Sequence, residues 1–161
     1  MAVLHLETII KAPIERVFDL SRSIDLHRLS MIRSNETAVA GRTHGLIELG
    51  ETVTWRARHF GIYQTLTVKI TALEKYNHFT DTMQKGVFSY MEHTHSFVQS
   101  DGITTMNDRF EFKAPCGLLG RLAETLFLKK YMRNLLSERN RTIKQIAESE
   151  DWKRLLIAPI D

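Results

Sequence analysis

The chain of 161 residues contains a single cysteine, Cys116, and only three prolines. One cysteine excludes an intrachain disulfide and is typical of a reducing compartment. No apolar run reaches the roughly 20 residues needed to cross a bilayer, and the N-terminal segment MAVLHLETII has no basic stretch before its apolar residues. These absences predict a cytoplasmic protein without stable membrane insertion.

An excess of charge of one sign is also missing. The 22 lysines and arginines stand against 19 acidic residues, and the formal net charge of +3 is too small to indicate a nucleic-acid partner. The chain has no G-x-S-x-G segment and no phosphate-binding glycine loop. Basic residues cluster only near the C-terminus, in a pattern typical of a solvated helix face: Lys129, Lys130, Arg133, Arg139, Arg141 and Lys144.

The apolar pattern indicates the order of the structural elements. Residues 2–11 predict a strand, Pro13 stands where a first helix begins, and a second short helix follows Ser23 as its N-cap. From Glu51 to about residue 113, the apolar residues recur at every second position, which indicates successive antiparallel strands. After Pro115 the period becomes helical, and a long helix is predicted to about residue 148.

Each predicted strand has one apolar face, so the sheet requires a cover that only the C-terminal helix is long enough to provide. We therefore predict an α+β fold with a curved antiparallel sheet of about six or seven strands wrapped around that helix. Two short helices follow the first strand. The domain is expected to span residues 1–148, with a C-terminal tail at 149–161. A cavity forms between sheet and helix where the facing side chains do not fill the space.

The segment YMEHTHSF, residues 90–97, places two histidines on one face of a strand. Asp101-Gly102 is a strong hairpin signal, and counting back from this turn sets His95 opposite Asp108. In this register the apolar residues of both strands lie on the same face, and a shift of one residue would place them on opposite faces. We therefore expect His93, His95 and Asp108 to point into the cavity. The other residues on this face are apolar: Met91, Phe97, Met106, Phe110 and Phe112.

This polar group has several possible roles. The favoured hypothesis is a hydrogen-bonded pair of His95 and Asp108, in which the carboxylate fixes the imidazole tautomer and favours its charged form. Such a pair could orient a polar group of a ligand, act as a general acid and base, or be purely structural. Metal coordination by His93, His95 and Asp108, with Asp81 as a further ligand, is less favoured because one H-x-H match is a weak signal. Neither a metal nor another cofactor is predicted.

The alternation of side chains along the other strands and the apolar stripe of the long helix identify further residues that we expect to line the cavity. Asp81 alternates with Phe79 and Met83, which favours an inward position, but a different parity of the following loop would place it in solvent. No catalytic residue is assigned. The full set of predicted ligand-binding residues is Trp55, His59, Gln64, Leu66, Asp81, Met83, His93, His95, Asp108, Phe110, Leu122 and Leu126.

The order of elements resembles the START-like, or SRPBCC, superfamily of helix-grip proteins, which includes polyketide cyclases, lipid-transfer domains and plant pathogenesis-related allergens. The segments IKAPIERVFDL, GETVTWRARHFG, HTHSF and DRFEFKAPCGLLGRL are similar to a bacterial ligand-binding subgroup. The resemblance implies a small hydrophobic or lipid-like ligand in the cavity.

Two other functions stay open. One is a cyclase or dehydrase that acts on a polyketide-like substrate with His95 and Asp108 as acid and base, so the sequence does not decide whether the protein is an enzyme. A weaker hypothesis is a module that binds a partner protein through the C-terminal helix or the tail. We expect a monomer or a weak homodimer.

Overall fold

A computed structural model of the chain describes residues 1–115, 117–118, 122 and 127–157. Within these ranges, seven strands form one antiparallel sheet in the order β1-β7-β6-β5-β4-β3-β2. Every neighbouring pair except β1 and β7 is therefore consecutive in the chain. The strands are β1 (Ala2–Ile10), β2 (Thr37–Gly41), β3 (Thr52–His59), β4 (Ile62–Glu74), β5 (His78–Lys85), β6 (Tyr90–Ser100) and β7 (Ile103–Lys113).

The helices of the described ranges are α1 (Ile14–Ser21), α2 (Ile24–Ser30), α3 (Lys129–Ala147) and α4 (Trp152–Leu156), with a 3-10 turn at Ile32–Ser34. The side chain of Ser23 caps α2, as predicted, by accepting a hydrogen bond from the Leu26 N–H at 3.2 Å. Helix α4 lies in the predicted tail and packs against α1, where the Arg16 guanidinium is 4.2 Å from the Trp152 ring centroid. No helix in the described ranges is both long and apolar enough to span a membrane.

Two tight turns fix the strand register. Asp101 and Gly102 have φ values of 50° and 76°, and the Phe60-Gly61 turn has values of 52° and 79°. Positive φ at both central residues is the requirement of a type I′ hairpin turn. The β6–β7 pairing sets His95 opposite Asp108, which confirms the predicted register.

The apolar core lies between the inner face of the sheet and the helices. Buried residues alternate along β6 at Met91, His93, His95 and Phe97, as expected for a strand with one covered face. Register shifts in the β4–β5 and β2–β3 pairings mark bulges, which increase the local bend of a sheet. Helix α3 packs against β1, α1 and α2. This architecture confirms the predicted α+β helix-grip fold.

Candidate functional site

A cavity of about 350 Å³ lies between the inner face of the sheet and helices α2 and α3. Its wall is mainly apolar, with contributions such as Val53, Val68 and Ile70 from the sheet and Met132 and Leu136 from α3. Eight of the twelve predicted ligand-binding residues line it: Trp55, His59, Gln64, Leu66, Asp81, His93, His95 and Phe110.

The other four predicted residues have different positions. Asp108 lies behind the two imidazoles, with a side chain that is 0% exposed. Met83 is partly buried and packs against the apolar core, whereas the Leu122 side chain is exposed to solvent. Leu126 lies outside the described residues. The structure therefore places Asp108 as a support for cavity-lining groups, while Met83 and Leu122 are not part of the cavity wall.

The Asp108 carboxylate is the centre of a buried polar cluster. His93 Nε2 donates a hydrogen bond to Asp108 Oδ1 at 2.9 Å. His95 Nδ1 is 2.8 Å from the same oxygen, but the direction is unsuitable, and this nitrogen has no hydrogen-bond partner among the described residues. The predicted His95–Asp108 hydrogen bond is thus replaced by one from His93, because both rings crowd a single oxygen, with centroids 3.8 Å apart.

Two residues of α3 complete the cluster from the opposite side. Asn140 Nδ2 donates to Asp108 Oδ2 at 2.6 Å. The Arg139 guanidinium donates from Nη2 to the Ser21 carbonyl oxygen at 2.6 Å, and its Nη1 lies 4.0 Å from Asp108 Oδ1. Arg139 is only 5% exposed, so the prediction of a solvated face is wrong for this residue. The sequence did contain a signal for this burial, because Arg139 falls within the apolar stripe of the helix, between Leu135 and Ile143.

Asp81 joins the cluster from β5 and points inward, as the alternation along its strand favours. It pairs with His93 in the β5–β6 register, and its Oδ1 is 3.5 Å from His95 Nε2. The Phe79 ring stacks on the His95 imidazole at a centroid distance of 4.3 Å. Both edges of the His95 ring therefore face a carboxylate.

Burial and mutual contacts determine the charges of this cluster. Burial by itself would raise the pKa of Asp108, but the hydrogen bond from His93 and the proximity of His95 outweigh it and hold the pKa well below its usual range. The pKa of Asp81 is lowered in the same way, chiefly by His95. Burial and the neighbouring His95 lower the pKa of His93 despite its bond to Asp108. At neutral pH, both carboxylates are ionised and His93 is neutral.

A second polar pair lies on the wall formed by α2. His27 Nε2 is 2.8 Å from Glu36 Oε1, and the His27 ring stacks on Trp55 at a centroid distance of 4.2 Å. Burial would raise the pKa of Glu36, but His27 outweighs it and lowers the pKa. Sequence reasoning did not identify this pair, since it joins a helix to an irregular loop for which no periodicity exists.

The rim of the cavity is formed by the β3–β4 turn and the start of α3. The His59 Nδ1 and Tyr131 hydroxyl oxygen are 2.7 Å apart, and the Phe60 and Tyr131 ring centroids are separated by 4.7 Å. Burial lowers the pKa of His59. His59 is therefore a rim residue of the cavity that is tied to α3 through Tyr131.

Compared as a sequence, the chain matches no protein-family model and no curated protein. Compared as a structure, it is similar to the protein TTHA0849 from Thermus thermophilus, with 19% identity, a TM-score of 0.71, and coverage of 92% of this chain and 100% of the other. Major latex-like protein 151 from Panax ginseng gives 13% identity, a TM-score of 0.68, and coverage of 92% and 98%. A START superfamily protein from Mycobacterium smegmatis gives 11% identity, a TM-score of 0.67, and coverage of 89% and 98%. The chain therefore has the helix-grip fold shared by START superfamily and major latex-like proteins.

Proposed function

We propose that the protein binds a small hydrophobic or amphipathic molecule in the cavity between the sheet and α3. The observation that carries this proposal is the cavity itself, about 350 Å³ in volume, which falls within the range of roughly 300–1,000 Å³ typical of ligand pockets. Apolar walls supply affinity, and the convergent polar groups of the buried cluster supply orientation.

The end of the cavity next to the polar cluster around Asp108, the buried end, favours a ligand that carries at least one oxygen. Arg139 lines the cavity, and its Nη1 has no hydrogen-bond partner among the described residues. A buried donor without a partner costs about 1–3 kcal/mol. A ligand carbonyl or hydroxyl oxygen near Arg139 would accept this hydrogen bond, so an amphipathic molecule fits better than a pure hydrocarbon.

A cyclase or dehydrase is the second candidate, supported by the position of His95 on the cavity wall. Its Nε2 lies 3.5 Å from Asp81 Oδ1, and an imidazole next to a carboxylate can transfer a proton to or from a bound substrate. Turnover of a polyketide-like substrate that is lost in His95→Gln would favour this enzyme over a simple binding protein.

The binding proposal is tested with a fluorescent apolar probe and a variant that fills the cavity. Ala57 lines the cavity and is 5% exposed, so Ala57→Phe should abolish probe binding while the far-UV circular dichroism stays unchanged. Ala40→Phe is the matched control, because Ala40 is exposed on β2. Native mass spectrometry of the purified protein should also detect a bound small molecule. Equal probe binding by Ala57→Phe and the unaltered protein would overturn the proposal.

A further inference from the structure

Three potential metal ligands meet at the buried end of the cavity. Asp81, His93 and His95 each offer one donor atom, and these atoms all lie within 4.8 Å of one another. His95 Nε2 and Asp81 Oδ1 are 3.5 Å apart, which matches the spacing of about 3.4 Å between ligand atoms of a tetrahedral zinc site. We propose that Asp81, His93 and His95 bind one divalent transition-metal ion.

The hydrogen bond between His93 and Asp108 prepares one imidazole for this role. A carboxylate oxygen only accepts hydrogen bonds, so His93 Nε2 carries the proton that it donates to Asp108. Nδ1 is then the ring nitrogen left to bind a metal. A carboxylate that accepts from the far nitrogen of a ligating histidine is the usual support of metal sites.

The unpaired nitrogen of His95 is an independent indication. His95 is 1% exposed, and its Nδ1 lies 2.8 Å from Asp108 Oδ1 without a suitable direction for a hydrogen bond. If Nε2 binds a metal, the ring proton of neutral His95 must be on Nδ1, which lies beside the Asp108 carboxylate. Metal binding would thus complete the hydrogen bonding of a buried group that is otherwise unsatisfied.

The charge of the cluster favours a cation over an anion. The ionised side chains that face it are the carboxylates of Asp81 and Asp108 and the guanidinium of Arg139. Two carboxylates against one guanidinium leave an excess of acidic side chains in a buried space, which a bound cation would offset. His27 and Glu36, which also line the cavity, are 2.8 Å apart and contact each other rather than this cluster.

The ligand set also indicates the kind of metal and its accessibility. Two imidazoles and one carboxylate suit zinc, iron(II) or cobalt(II) better than calcium or magnesium. All three residues line the cavity, so a fourth coordination position faces its interior, where water or a ligand oxygen can bind. The site goes beyond the proposed function and does not depend on it.

The experiment titrates protein that has been dialysed against a chelator. Zinc chloride is followed by calorimetry, and cobalt(II) is followed by its visible absorption, which reports coordination geometry. We expect one ion per chain. Asp108→Asn, which removes only the supporting carboxylate, should weaken zinc binding roughly 10- to 100-fold, and loss of a direct ligand in Asp81→Asn should weaken it further. His44→Ala is the control, because His44 is exposed and is not among the residues that line the cavity.

Asp81→Asn is the decisive variant, since its side chain is 17% exposed and the change preserves size, whereas His95→Ala empties a core position. If Asp81→Asn retains the circular dichroism and the zinc affinity of the unaltered protein, the proposal is wrong. Absence of saturable zinc binding would overturn it as well. Binding of the apolar probe by metal-free protein separates the metal site from the proposed ligand binding. If the protein binds the probe but does not bind zinc, the metal site is wrong and the proposed function stands.

Discussion

The two ends of the cavity are built in different ways. At the buried end, His93, Asn140 and Arg139 converge on the carboxylate of Asp108 from two elements distant in the chain. At the rim, the contact between His59 and Tyr131 is a single hydrogen bond between partly exposed groups. The sheet and α3 are therefore joined by buried charged groups at one end of the cavity and by partly exposed contacts at the other.

Arg139→Met is expected to have the largest effect, because it removes the buried cation of the cluster. The Ser21 carbonyl oxygen would lose its donor, and Asp108 would lose the only guanidinium near it in the described ranges. Breaking a buried pair by removal of one partner typically costs about 3–5 kcal/mol. Urea unfolding should therefore show a loss of stability of about this size.

Arg141→Met on the same helix is the matched control. Arg141 is exposed, and exposed substitutions usually change stability by less than about 0.5 kcal/mol. If both variants unfold at the same urea concentration, the buried end does not hold α3 to the sheet, and the proposed difference between the two ends of the cavity is wrong.

The contrast between these two arginines also shows what the sequence could and could not predict. The period of two and the Asp101-Gly102 turn were sufficient to set His95 opposite Asp108, because strand register is a local property of the hairpin. Which of the two histidines bonds to the carboxylate depends on ring orientation. The contribution of Arg139 and Asn140 depends on how α3 is rotated against a sheet strand more than 30 residues away in sequence, and no local pattern encodes that rotation.

An intermediate effect is expected on acidification. Burial lowers the pKa of His93 in the folded state. Below the ordinary histidine pKa of about 6.5, the unfolded chain therefore binds more protons than the folded chain does. Stability should therefore fall as the pH decreases from about 6.5, at a rate set by this difference in bound protons. The lowered pKa of Asp108 adds a further loss that begins below its ordinary value of about 3.9.

Urea unfolding at several pH values between neutral and acidic measures the slope of the free energy of unfolding against pH. Two variants then test whether His93 causes this slope. His93→Gln should flatten the slope around pH 5–6. His59→Gln, at the partly exposed rim, should change it less because solvent screens its neighbours. A nuclear magnetic resonance titration in which His93 changes protonation at or above about 6.5 would contradict the expectation.

The smallest effect is expected for Tyr131→Phe at the rim. The change removes the hydroxyl group that lies 2.7 Å from His59 Nδ1 but keeps the ring that contacts Phe60. Both partners are partly exposed, so water replaces the lost bond, and the cost should be about 0.5–1 kcal/mol. Tyr63→Phe is the control, because Tyr63 is an exposed tyrosine on β4. Probe binding should stay unchanged, since the buried cluster is untouched. If Tyr131→Phe destabilises the protein as much as Arg139→Met, the rim belongs to the same cooperative unit as the buried end, and the distinction between the two ends is lost.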